Sequence, residues 1–158
     1  MQRNRKKKHG HPAYMGIRIL VADDHPVVRQ GLVAMLDQNK DFEIVQTAAD
    51  GCEAVDKVRE TEPDVVVMDL SMPKMDGITA TRKMMQNHPG IRVLCLSMHR
   101  NRTCVHAALA AGASGYLLKD CAGEELAEAV RRVAAGSRYL SPLLPQPEPE
   151  PTHQDEQS

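Results

Sequence analysis

Apolar positions gather into five short runs: IRILVA at 17–22, FEIVQTA at 42–48, DVVVMD at 64–69, IRVLCLS at 91–97 and SGYLL at 114–118, with starts 22 to 27 residues apart. That spacing is too long for hairpins and suits a strand, a helix and two loops, so it predicts repeated right-handed βαβ units. Val65, Val66 and Val67 do not alternate with polar residues. Their strand is therefore expected at the sheet centre with both faces covered, each valine contributing about 1.5–3 kcal/mol. Helix-period segments fill the intervals: 26–38 with Pro26 in the first turn, 51–61, 77–87 with Asp76 as N-cap, and 102–111 with weaker periodicity. A last helix carries Leu126, Ala129, Val130 and Val133 on one face, with acids in its first turn and Arg131 and Arg132 nearer its end, as the helix dipole favours. Its start at Ala122 and Gly123 lacks a hydroxyl cap, which leaves Asp120 as a partial substitute and a helix end expected to fray.

Composition adds boundaries. The chain has 158 residues, 42% hydrophobic and 26% charged, which fits one globular domain over 17–141 with two tails. Residues 1–16 form a basic, flexible start containing Arg3, Arg5, Lys6, Lys7 and Lys8, and Met15 offers an alternative beginning. Residues 142–158, with five prolines and the run PQPEPEP, are expected to be a disordered Pro/Glu-rich end. A formal charge of −1 gives no global attraction to nucleic acid, and the basic start alone supports only weak, salt-sensitive contacts. Cys52, Cys95, Cys104 and Cys121 lack the density and pairing of a secreted disulfide framework. Without an apolar stretch of roughly 18–20 residues or a signal-peptide pattern, a soluble cytoplasmic protein with no membrane partner is expected.

The candidate chemistry lies at strand ends. Asp23 and Asp24 close the first run and Asp69 the third; Ser97 closes the fourth, and Lys119 follows the fifth. In an open α/β sheet, ligands bind beyond the carboxyl ends of the strands at the switch between strands 1 and 3. Carboxylates about 4 Å apart repel by roughly 4 kcal/mol at the effective dielectric of a protein surface, so the acids call for a cation, and Mg²⁺ is the natural one. An ammonium and a hydroxyl beside them complete what a carboxylate nucleophile needs to accept a phosphoryl group, with Asp69 as that nucleophile. His25 reads as an exposed loop histidine without a site role, whereas His99 and Ser71 are candidates for setting how fast the phosphate is lost.

The strings ILVADDHPVVRQGL, DVVVMDLSMPKMDGI, VLCLSMH, AGASGYLLKD and EELAEAVRRVAAGSRYLSP together resemble a two-component response-regulator receiver domain of the NarL/FixJ-like subfamily, over about residues 17–141. The resemblance implies a flavodoxin-like (CheY-like) α/β fold: a doubly wound, five-stranded parallel sheet of order 2-1-3-4-5 with helices on both faces. It implies Asp69 as phosphoacceptor, Asp23 and Asp24 with Asp69 and the Ser71 backbone carbonyl as the Mg²⁺ site, and Lys119 as the phosphate-pairing lysine. Ser97 and Tyr116 become the switch pair, while Pro73 and Gly77 shape the loop after Asp69. The implied partner is a histidine kinase, with a possible homodimer on phosphorylation. Only 17 residues follow Ser141, too few for the subfamily's helix-turn-helix output domain, so no specific DNA binding is expected from this chain.

Three functions compete. The first is a stand-alone receiver acting through protein contacts, with slow self-dephosphorylation and no multiple-turnover metabolism. The second is the receiver fragment of a LuxR/NarL-type transcriptional regulator whose DNA-binding domain is missing or on another chain. The third, an aspartyl-phosphate phosphohydrolase, lacks its second aspartate, because that position is Ser71.

Overall fold

The computed structural model describes residues 16–144. The expected tails therefore lie outside the described residues, apart from Gly16 and 142–144. The elements run β1 (Ile17–Ala22), α1 (Pro26–Asp37), β2 (Phe42–Ala48), α2 (Gly51–Thr61), β3 (Val65–Asp69), α3 (Gly77–Asn87), β4 (Arg92–Ser97), α4 (Arg102–Ala110), β5 (Gly115–Leu118), α5 (Ala122–Ala134) and β6 (Tyr139–Leu140). Every strand pair is parallel, in the order β2-β1-β3-β4-β5-β6. This is the expected doubly wound α/β architecture with one correction: the sheet has six strands, not five. β6 comprises two residues, too few to show an alternation in sequence. It arises where the chain reverses after α5 through Gly136, whose φ of 99° suits glycine, and returns beside β5.

The sheet separates two apolar layers. Leu20, Val66, Met68, Cys95 and Tyr116 pack on one side with Ala54 and Val58 of α2, Ala80 and Met84 of α3, and Ala108 of α4. Val21, Val67, Leu96 and Leu117 pack on the other with Leu32 and Leu36 of α1 and Leu126, Ala129, Val130 and Val133 of α5. β3 is buried along its whole length between β1 and β4, as its valine run requires. Burial pushes the Cys95 thiol up to about 12, which keeps it a neutral core group. No helix among the described residues is long and apolar enough to cross a membrane.

Capping explains most helix starts. Asp76 accepts from Thr79 N–H at 2.8 Å as expected, and Asp50 and Asn101 cap α2 and α4 in the same way. α5 departs from expectation. A 3₁₀ turn over Lys119–Cys121 leads into it, Cys121 occupies the cap position without a side-chain bond, and Asp120 lies 3.9 Å from Arg100 instead of capping.

The end of α2 depends on a residue from β1. Arg18, 7% exposed, donates from Nη1 to the carbonyls of Thr61 at 2.6 Å and Glu62 at 2.9 Å, and its backbone N–H meets Asp64. Glu62 takes a left-handed φ of 48°, which turns the chain sharply into β3. Arg18→Met keeps the apolar stem but strips two helix-end carbonyls of their charged donor. It is expected to cost about 2–3 kcal/mol in urea unfolding with an unchanged denaturant slope. A midpoint equal to that of the parent would show that water serves those carbonyls as well as the guanidinium does.

Candidate functional site

Strand register decides which rim residues meet. Ala22 pairs with Met68, so Asp23 stands one step further along, level with Asp69. Asp69 pairs with Leu96 and that residue with Leu117. Side chains alternate between faces, so Asp23, Asp69 and Lys119 continue the face of Val21, Val67 and Leu117, the layer shared with α1 and α5. Ser97 follows Cys95 and sits toward the opposite layer, where Tyr116 is packed. Parity thus sets Asp23, Asp69 and Lys119 apart from Ser97, while Asp24, in the bend beyond β1, joins the acids by its position after the strand and not by strand alternation.

The acid–lysine group is tight and almost dry. Asp23 is fully buried and Asp69 1% exposed, and Lys119 Nζ bridges them at 3.2 Å and 3.3 Å. Asp24 is half-buried beside them. Burial first, then repulsion from Asp23, hold the Asp69 carboxyl above the ordinary carboxylate range, against the N–H of Ser71 at 3.1 Å and the Lys119 charge. Burial draws the Lys119 ammonium down, but attraction to Asp69 and Asp23 outweighs it and leaves the group above the usual lysine range.

The donor set fits a hard divalent cation. Asp23 Oδ2, Asp24 Oδ1 and Asp69 Oδ2 are buried and lack a well-aligned hydrogen bond: Lys119 ion-pairs with the first and third, and His25 Nδ1 approaches the second. Ligand atoms of Asp23, Asp24, His25 and Asp69 all lie within 4.8 Å of one another. Three carboxylates against one ammonium leave negative charge for a cation to neutralise.

His25 was not legible as a site residue. Its side chain is exposed, as expected of a loop histidine, yet Nδ1 lies 3.3 Å from Asp23 and 3.1 Å from Asp24, and its N–H donates to Asp23 Oδ1 at 2.9 Å. Arg29 was missed as well: from the first turns of α1 its Nη1 donates to the Asp23 carbonyl at 2.7 Å. A helix beginning at Pro26 after an acid pair was the available signal for both, because it folds the next turn back over the strand end.

The hydroxyl group is organised around the backbone of one residue, His99. Ser97 Oγ accepts from His99 N–H at 3.0 Å, and the Tyr116 hydroxyl donates to the His99 carbonyl at 2.8 Å. Tyr116 is already fully buried. A cleft of about 340 Å³ opens beside Ser97 and His99, bounded by Leu70, Ile78 and Cys104. Gly77 lies directly behind the acid site, where a Cβ would come within 2.5 Å of the Asp69 carbonyl. Its expected role in the loop is thus one of close approach, since its φ is not in the left-handed region. Pro73 and Met75 close the intervening turn through a backbone bond of 2.7 Å.

Comparison with known proteins follows the same outline. Residues 19–131 match the family model described as the response regulator receiver domain. The chain is 43% identical over 128 residues to the transcriptional regulatory protein DegU of Brevibacillus brevis, covering 81% of this chain and 54% of that protein. A crystal structure of a LuxR-family two-component response regulator from Aurantimonas sp. SI85-9A1 superposes with a TM-score of 0.78 at 41% identity, covering 80% of this chain and 91% of that one. The receiver domain of the putative response regulator NarL from Mycobacterium tuberculosis gives 0.74 at 36% identity, covering 77% and 98%. The chain spans 54–61% of the length of the curated relatives it matches.

A raised carboxyl pKa means that the folded chain holds the Asp69 proton more firmly than the unfolded chain does. Ionised Asp69 therefore costs stability at neutral pH, and the cost fades as pH falls through the raised value. Asp69→Asn is expected to gain about 1–2 kcal/mol at pH 7 in chelator, with a smaller gain at pH 5, measured by urea unfolding. A loss at pH 7 would mean that the attraction of Lys119 exceeds burial and repulsion combined.

Proposed function

Because the chain belongs to the response regulator receiver domain family, we propose that Asp69 accepts a phosphoryl group from the phosphohistidine of a histidine kinase. The observation that carries this is the buried Asp69 carboxylate, held 3.3 Å from Lys119 with one oxygen that lacks a well-aligned hydrogen bond. That oxygen, paired in the resting site with the Lys119 ammonium, attacks phosphorus, the P–N bond to histidine breaks, and its electron pair returns to the imidazole. Lys119 pairs with the entering phosphoryl oxygens, while the Ser71 N–H keeps the other Asp69 oxygen in place at 3.1 Å.

Asp23, Asp24 and Asp69, with the Ser71 carbonyl, would hold a divalent ion, and Mg²⁺ there supplies the positive charge that offsets the phosphoryl oxygens. Arg29 fixes the backbone at Asp23, so the carboxylate stays aimed at the site. Water later attacks the acyl phosphate and releases inorganic phosphate. His99 and Ser71 border the cleft through which that water approaches. The chain is thereby a slow timer and not a multiple-turnover enzyme.

Activation proceeds through the hydroxyl group. A phosphate brings about 1.5–2 negative charges at neutral pH and competes for the Ser97 hydroxyl. Ser97 then gives up the His99 N–H, and the backbone of His99, held between Ser97 and Tyr116, is released on one side. The segment after β4, held by both members of the Ser97–Tyr116 switch pair, changes in response, along with the face of α4 and β5. A full reversal of such an equilibrium takes about 5.5 kcal/mol, which a partner or a phosphorylation-dependent homodimer would help supply.

A second reading is favoured by two relatives' names: at 54% and 58% of the length of two regulators called transcriptional, the chain serves as the receiver part of a transcriptional response regulator in the cytoplasm. Incubation with acetyl phosphate and Mg²⁺, read by intact mass, is expected to add one phosphoryl. Asp69→Ala or removal of the metal with chelator is expected to abolish the gain. Unchanged mass in the parent, or a gain surviving Asp69→Ala, rejects the phosphoacceptor role.

A further inference from the structure

β6 ends at Leu140, and its last backbone bond runs from Ser141 N–H to the Tyr116 carbonyl at 3.0 Å. The next β5 donor facing that edge is the N–H of Leu118, the residue before Lys119. It is met at 3.0 Å by the hydroxyl oxygen of Ser141, which stands in for another rung of sheet. Ser141 is fully buried. Its hydroxyl proton goes to Glu125 Oε1 at 2.9 Å, and the same oxygen accepts from the Tyr139 hydroxyl at 2.8 Å. A hydroxyl has one proton to give; committing it to Glu125 turns a lone pair toward Leu118.

We infer that Ser141 and Glu125 are positioning residues for Lys119, holding the end of β5 so that the ammonium is aimed at Asp69. The inference rests on the phosphoacceptor reading of Asp69. Lys119 reaches the acids from two positions beyond Leu117, on a long stem whose only rigid part is its backbone. The 3₁₀ turn that begins at Lys119 adds no sheet bond of its own, so the last anchor before the ammonium is Leu118 N–H. The two neighbours of that anchor, Tyr139 and Ser141, converge on one carboxylate of α5, which makes the strand after α5 part of the machinery of the site. Loosening it lets the ammonium wander, and misplacement of a charged group on the order of an ångström slows transfer severely.

The test uses the full chain. Phosphorylation of Asp69 by acetyl phosphate with Mg²⁺ is timed for the parent, Ser141→Ala, Glu125→Ala, Glu125→Gln, Lys119→Ala and the Lys119→Ala/Ser141→Ala double variant. In metal-free samples, the Lys119 side-chain signals are followed by NMR. Ser141→Ala and Glu125→Ala are expected to slow transfer about tenfold and to shift the Lys119 signals, whereas Glu125→Gln, which keeps an acceptor oxygen, stays close to the parent. In the Lys119→Ala background, Ser141→Ala is expected to add no further slowing, since the path it acts through is gone. Should Ser141→Ala fail to fold, half-exposed Glu125 carries the comparison. Unshifted Lys119 signals, or a slowing that persists without Lys119, would overturn the inference. A parent that takes no phosphoryl rejects the role of Asp69 instead, and the NMR comparison still decides whether Ser141 and Glu125 hold Lys119.

Discussion

Like charges held out of water at one sheet edge are the constraint around which this protein is built. Two buried carboxylates repel by roughly 4 kcal/mol at the effective dielectric of such a site. The valines of β3, buried in the strand that carries Asp69, together contribute about 5–9 kcal/mol, enough to hold the acid in place. A less apolar central strand would let the rim relax and water enter, and Asp69 would lose the burial that holds its carboxyl above the ordinary range. The apolar core and the reactive site are therefore one design, with β3 belonging to both.

Parity then divides the labour. Because neighbouring side chains on a strand face opposite ways, the rim has a charged side over α1 and α5 and a hydroxyl side over α2, α3 and α4. In the proposed function, chemistry belongs to the first and shape change to the second.

The strand and helix pattern was legible because βαβ spacing and apolar runs are local properties. Residues 42–48, 51–61 and 77–87 form elements with the bounds read from the chain. The acid group was legible because strand ends of a parallel sheet converge. Register was not: only the pairing of Ala22 with Met68 and Ser97 with Leu118 shows which side chains share a face. His25 and Arg29 were missed because their roles come from the first turns of a helix folding back, and β6 because two residues carry no period. Asp120 failed as a cap because the chain tightens into a 3₁₀ turn before α5 begins.

Both hydrogen bonds that secure residue 99 end on its peptide atoms, one on the N–H and one on the carbonyl. Neither uses the side chain, so every residue except proline, which lacks the N–H, preserves both. The imidazole can consequently give way to a larger, smaller or charged group without dismantling the latch, which separates what the residue shows to the cleft from what its backbone holds together.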